Sequence, residues 1–365
     1  MTGPLDGIVV ADFSRVLAGP YATMLLGDLG AEIIKVERPG HGDDTRAWGP
    51  PYTQQGLSTY FAGVNRNKST RVIDLGTPEG RDEARAIALG ADVLVENFKP
   101  GALDRMGLGY ADLARAHRGL VYCSITGFGS GAGSELPGYD LLVQAMGGLM
   151  SITGPGPGEP TKAGVALVDV ITGLHATVGI LAALRHRDAT GEGQRVEVNL
   201  LSSLLSALVN QASGYVAAGV VPGILGNAHP SISPYDVFAT ADRPLVIAVG
   251  NDGQFAALVT ELGAPELARD PDYATNPDRV AHREQLKARL EGLLASYGAD
   301  EWQRRITGAG VPCGPINDIA QAFGLAASLG LDPVVDVDGT PTVAHPITLS
   351  RTPATYRSGP PDLPA

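Results

Sequence analysis

Two cysteines in 365 residues, Cys123 and Cys313, are too few and too far apart for a disulfide framework or a cysteine-based metal site. Both read as thiols of a reducing compartment, so a cytoplasmic location and no bound metal are the expectation. Positive charge is also short: 27 Lys and Arg face 39 Asp and Glu, a formal net charge of -12. Such a chain offers no broad surface for nucleic acid or an anionic membrane, and an anionic ligand requires a local basic pocket. Long hydrophobic runs are missing as well. The opening "MTGPLDGIVVADF" has no basic segment and no long apolar core, so no signal peptide is expected. The most apolar stretch, residues 198–221, is interrupted by Asn199, Asn210, Gln211 and several serines, and reads as a buried helix, not a membrane span. There is no GxSxG elbow, HExxH, Walker A or GxGxxG motif, which disfavours hydrolase, metallopeptidase, P-loop and NAD chemistry.

What is present points to an α/β fold. The length favours two domains. The 48 glycines and 27 prolines follow no period, which suggests many tight turns and not a low-complexity polymer. "GIVVADFS", "GPYATMLLGDLG" and "AEIIKVERPG" form a strand, a helix and a strand within about 30 residues, a βαβ unit. The pattern recurs through "ADVLVENFKPG" and "LVYCSITGFGSGAG". The expectation is a Rossmann-like large domain with a parallel sheet over residues 1–200, completed by 313–365. A linker helix covers 201–224 and a smaller α+β domain covers 225–312. Ligands of open parallel sheets collect at the carboxyl ends of strands. Those ends carry Ser14, Arg15, Arg38, Asn97, Phe98, Lys99 and Gly127, with Arg46, Lys68, Arg71 and Arg105 nearby, which suits a phosphate-rich ligand or, residue by residue, solvated loop charge.

One carboxylate stands out. Asp169 is alone in "KAGVALVDVITGLHATVGILAALRHRDATGEGQ", with no other acid before Asp188. A carboxylate removed from water is costly unless paired or hydrogen-bonded, or its pKa rises. Asp169 reads either as the N-cap of a long helix or as a catalytic carboxylate at a helix start. His175, six residues on, faces another side and reads as a core or interface histidine, while His229 sits in a glycine- and proline-rich loop.

Seven stretches, among them "DFSRVLAGPYATMLLGDLGAEIIKVERPGHGDDTR", "ADVLVENFKPGALDRMGL", "GYDLLVQAMGGLMSITG" and "LGNAHPSISPYDVF", resemble in order the family III CoA-transferases. That group includes formyl-CoA, carnitine and succinyl-CoA transferases and the α-methylacyl-CoA racemases. The resemblance implies an acyl-CoA and a small carboxylic acid as substrates, no tightly bound cofactor, and a homodimer of two interlocked ring-like chains. It implies Asp169 as nucleophile, attacking a donor thioester to give an anhydride and then an aspartyl-CoA thioester. CoA contacts carry over to Arg15, Val16, Ala18, Arg38, Asn97, Phe98, Lys99, Arg105 and Tyr139, with Val72, Ile73, Asp74 and Leu75 near the adenine. Gly226, Asn227 and His229 match a mobile loop over the nucleophile. Racemases resemble "GHD" where this chain has "GYD", and a phenol is a poor partner for proton exchange at neutral pH, so transfer is expected over racemisation or an inactive CoA-binding relative. Leu17 replaces a glutamine of formyl-CoA transferases, which implies a less polar acyl pocket and disfavours formate and oxalate.

Overall fold

The structure is a computed structural model that describes residues 3–364. It divides into two compact units. The first comprises the chain up to Leu149, Lys162–Pro222 and everything from Asp332; the second comprises Met150–Thr161 and Gly223–Leu331.

The first unit is built on six strands: β1 (Val9–Asp12), β2 (Glu32–Glu37), β3 (Lys68–Val72), β4 (Val93–Glu96), β5 (Val121–Thr126) and β6 (Arg195–Asn199). All pair in parallel, in the order β3-β2-β1-β4-β5-β6. This is the doubly wound order expected of a Rossmann-like sheet, and its direction reverses between β1 and β4. The central strands β1, β4 and β5 are covered on both faces, so they are largely apolar and alternate between two cores. Val10, Val93, Val95, Val121 and Cys123 face one cluster with Ala22, Leu26, Ala176 and Ile180. Ala11, Leu94 and Tyr122 face the other, with Ala84, Ala88 and Leu113.

The Leu167–Thr190 helix is long and apolar enough to cross a membrane by length and composition. Its Val168, Ala176, Ile180 and Leu184 pack in the sheet's first core. It lies so close to the Ala18–Asp28 helix that a Cβ on Gly173 would come 2.7 Å from the Ala18 carbonyl. Glycine is required there by close approach. The apolar stretch after it is not one buried helix. Asn199 caps a first helix, Leu200–Ala207, by accepting from the Ser202 N–H at 2.7 Å; a second, Val209–Ala218, has no buried residue.

In the second unit β7 (Tyr235–Phe238), β8 (Leu245–Ala248) and β9 (Cys313–Pro315) form an antiparallel sheet. Phe238, Leu245, Ile247, Phe255, Leu258, Leu290 and Trp302 make its core. The chain therefore returns to the first unit at Asp332, later than the expected 313, because β9 hydrogen-bonds to β8. The chain beyond Asp332 makes a hairpin, β10 (Val334–Val337) and β11 (Thr340–Val343), and is then without helix or strand up to residue 364. It is tied to the first unit through buried Asp28, whose carboxylate meets Arg66, Asn67 and His345.

Candidate active site

The site begins where β1 and β4 part. Asn97, just past β4, clamps the loop that leaves β1: its Oδ1 accepts from the Arg15 N–H at 2.9 Å and its Nδ2 donates to the Arg15 carbonyl at 2.7 Å. Val16 follows with φ of 71°, a left-handed backbone that a β-branched residue rarely adopts. The strained turn is held from below. The Val16 N–H points to both Asp43 carboxylate oxygens at 3.3 Å, and Asp43 also accepts from Lys35 Nζ at 2.9 Å and Thr45 Oγ1 at 2.8 Å. Lys35 donates to the Ser14 carbonyl at 3.0 Å. Beside it Asp12 accepts from Lys68 Nζ at 3.0 Å, Ser14 Oγ at 2.5 Å and Thr23 Oγ1 at 2.7 Å. Burial pushes the Asp12 carboxyl up, but Lys68, Lys35 and these hydroxyls together outweigh it and hold the group at about 2. Two of the expected ligand cations are thus structural ions: Lys68 serves Asp12, and Arg46 is forked onto Glu37.

Above this platform lies a cavity of about 450 Å³. Its wall brings together Arg15, Val16, Leu17 and Ala18 from the β1 loop with Asn97, Phe98 and Lys99 from the β4 loop. The β5 loop, Tyr139, Asp140, Leu200 and Asp169 complete it. Gly127 and Gly138 approach so closely that a Cβ on Gly127 would lie 2.4 Å from the Gly138 Cα, which lets the two loops meet at the rim. The Arg15 guanidinium lies 5.3 Å from the Phe98 ring centre, its Nη1 3.5 Å from Asp44, and its buried Nε has no hydrogen-bond partner among the described residues.

Asp169 sits in the first turn of the Leu167–Thr190 helix but is not its cap. The side chain of Asp140 caps the helix instead. Its Oδ1 accepts from the Val168 N–H at 2.8 Å and the Asp169 N–H at 3.2 Å. Gln144, fully buried, orients Asp140 by donating to Oδ2 at 2.5 Å and is itself fixed by the Ala163 N–H at 2.9 Å. Among the described residues no hydrogen bond reaches the Asp169 carboxylate. Burial, with the negative charge of Asp140 added, pushes its pKa up to about 7. Tyr60 is part of the same environment: burial and then Asp169, Asp140 and Asp43 push its phenol up to about 12.

Several expected residues lie off the cavity wall. Arg38 pairs with Asp44 and donates to the Gly42 carbonyl, and Arg105 is exposed. Val72, Ile73, Asp74 and Leu75 lie at the carboxyl end of β3, where the Ile73 N–H donates to the Glu37 carbonyl and Ile73 and Leu75 pack in the second core. Gly226, Asn227 and His229 belong to the second unit. His229 is held there by its own bonds to Tyr235 and Ser231. His175 meets Ser203 Oγ at 3.0 Å. Asp140, Gln144, Tyr60 and the Lys35–Asp43 pair escaped sequence reasoning. Only the spacing of Asp140 and Gln144, one helical turn apart, could have signalled a bonded pair.

A family model described as CoA-transferase family III matches residues 5–365. The chain is 45% identical to the succinate–glutarate CoA-transferase of Agrobacterium fabrum, covering 99% of this chain and 93% of that one. It is 42% identical to the acetyl-CoA:oxalate CoA-transferase of Acetobacter aceti, over 95% and 90% of the two chains. A crystal structure of a CAIB/BAIF family protein from Brucella suis superposes with a TM-score of 0.89 at 43% identity, covering 100% of this chain and 97% of that one.

Proposed function

This chain belongs to CoA-transferase family III, and from that premise we propose that it moves CoA from an acyl-CoA donor to a dicarboxylic acid, with Asp169 as the covalent carrier. The observation that carries this reading is the Asp169 carboxylate itself: on a cavity wall, without a hydrogen bond among the described residues, its pKa raised to about 7. A desolvated carboxylate keeps its nucleophilicity, which water otherwise blunts. One Asp169 oxygen attacks the thioester carbonyl; the C–S bond breaks and CoA leaves as thiolate. The thiolate then attacks the Asp169 carbonyl of the anhydride, releasing the donor acid and leaving an aspartyl-CoA thioester. The acceptor carboxylate reverses both steps and takes CoA away.

Arg15, Val16, Ala18, Asn97, Phe98, Lys99 and Tyr139 receive the pantetheine arm in this assignment. Arg38, Arg105, Val72, Ile73, Asp74 and Leu75 take the nucleotide end along the same carboxyl edge of the sheet. Relatives named for succinate, glutarate and oxalate support a dicarboxylate acceptor. Leu17, nine-tenths buried on the wall, suits the methylene chain of succinate or glutarate better than oxalate. Transfer from succinyl-CoA is expected to favour glutarate over oxalate in a thioester-exchange assay. Its kcat/KM is expected to rise about tenfold per pH unit below pH 7 and to level off above it, as the raised Asp169 carboxyl ionises. No transfer to any dicarboxylate, or α-proton exchange in a 2-methylacyl-CoA, overturns the assignment.

The interlocked dimer is part of the proposal. Support comes from apolar side chains left open on the first unit's helices: Leu174 at 41%, Val178 at 65%, Val209 at 67% and Val216 at 82% exposure. Where exposed apolar side chains gather into a large patch, they mark an interaction surface. Differently tagged preparations, mixed after folding, are expected to form no mixed dimers until both are unfolded; free exchange rules out threading.

A further inference from the structure

We propose that Asp140 is the positioning residue of the Asp169 carboxylate and that its negative charge drives Asp169 toward the acylated form. This inference rests on the reading of Asp169 as the covalent carrier.

The geometry gives Asp140 two roles. Its Oδ1 takes the Val168 and Asp169 N–H groups at 2.8 and 3.2 Å, which fixes the backbone from which Asp169 projects. Its Oδ2 is held by buried Gln144, so the carboxylate does not turn away. Both acids line one cavity. By occupying the helix N-terminus, Asp140 takes the N–H groups and the favourable end of the helix dipole that would otherwise serve a carboxylate at Asp169. Asp169 is left facing a like charge in a partly dry site. The other ionisable groups around it are Tyr60, raised by burial and then by Asp169, Asp140 and Asp43, and, elsewhere on the wall, Tyr139, Arg15, Asp44 and the paired Lys99 and Glu135.

The consequence is chemical. In the first half-reaction the donor acyl-CoA and the Asp169 carboxylate become the donor carboxylate and a neutral aspartyl-CoA thioester. The C–S bond to the acyl group breaks, a C–S bond to Asp169 Cγ forms, and the negative charge leaves with the donor acid. Repulsion from Asp140 is relieved in that half and restored in the second, when the acceptor takes CoA and Asp169 is again a carboxylate. The overall equilibrium between the two acyl-CoA species is untouched. Asp140 therefore loads the enzyme without biasing the reaction it catalyses.

The test uses the protein with succinyl-CoA and succinate and no second carboxylic acid. Intact-protein mass spectrometry reads the covalent CoA adduct as the ratio of succinyl-CoA to succinate is varied, which yields the equilibrium constant for loading. Asp140→Asn keeps an acceptor oxygen for the two N–H groups and removes the charge. It is expected to lower the loading constant about tenfold or more, to move the acid limb of the kcat/KM profile to lower pH, and to leave the overall equilibrium constant unchanged. Should Asp140→Asn not fold, Asp140→Ser, which also retains a capping oxygen, carries the same measurement. A loading constant within about twofold of the parent in a folded charge-free variant, with an adduct present in the parent, overturns this proposal alone. Absence of any adduct in the parent overturns the carrier reading, and this proposal with it.

Discussion

Asp169→Ala is expected to lower CoA transfer by roughly four orders of magnitude or more, the usual consequence of deleting a covalent carrier. CoA binding, measured by calorimetry, is expected to stay the same or tighten, because the variant removes an anion from a cavity that must admit an anionic ligand. The two readouts together separate lost chemistry from lost structure. A second consequence concerns stability. The folded-state pKa of Asp169 is about 7, above its ordinary 3.8. Folding therefore favours the protonated form. The stability contributed by that form is fully present below about pH 4 and is lost as pH rises through 7. Asp169→Asn, which cannot ionise, is accordingly expected to be more stable than the parent above pH 7, by up to roughly 4 kcal/mol, and to lose that advantage in acid. Stability traded for reactivity in this way fits a functional group held in an unfavourable place. Near-parental turnover in Asp169→Ala ends the carrier assignment.

Asp28→Ala is expected to be the most destabilising single change in the first unit. Asp28 is fully buried at the end of the Ala18–Asp28 helix. Oδ1 accepts from Arg66 Nε at 2.9 Å and Asn67 Nδ2 at 2.8 Å, and Oδ2 meets Arg66 Nη2 at 2.5 Å and His345 Nδ1 at 3.0 Å. Truncation strands the Arg66 guanidinium, itself 2% exposed, without its counter-charge. Breaking a buried pair from one side typically costs about 3–5 kcal/mol. The damage extends along the chain. Arg66 also donates to the Val343 carbonyl at 2.9 Å, and Asn67 donates to the Thr355 carbonyl at 2.8 Å and accepts from the Arg357 N–H at 2.6 Å. The segment beyond Asp332 thus hangs on the residues that Asp28 organises. Urea unfolding checks the first effect, and limited proteolysis within residues 332–364 checks the second. A loss below about 1 kcal/mol with an uncut tail refutes the hub role.

Much of the first unit is legible in the sequence because its signals are local. Strands β1, β2, β4 and β5 are short apolar runs bounded by glycine, and a parallel order follows from the crossovers between them. The seam between β1 and β4 is reachable by the same route, which is why Arg15, Asn97, Phe98 and Lys99 meet on one wall. Where the fold departs from expectation, long-range contacts are the cause. Composition alone makes residues 198–221 one buried helix. Hydrophobicity does not say which apolar faces a single chain covers, and here Val209–Ala218 stays open. "VPCGPINDI" looks like a fresh strand and helix, which places the return to the first unit at 313. It is a fresh strand, but its hydrogen bonds go to β8.

Asp169 shows the division most sharply. Its isolation in an apolar helical stretch makes it conspicuous in the sequence alone, since desolvation of a carboxylate is a cost that composition reveals. Its residue type, its helix and its neighbours in the chain are all determined there. What surrounds the carboxylate is decided only by the fold. Asp140, 29 positions earlier, takes over the helix cap and turns a stabilised N-terminal carboxylate into one crowded by a like charge. Lys68, read as a ligand cation or solvated loop charge, and Lys35 and Asp43, which carry no signal in the sequence, become the buried platform under Val16. Both outcomes depend on distances between residues far apart in the chain, and Coulomb and desolvation energies depend on those distances, not on sequence position.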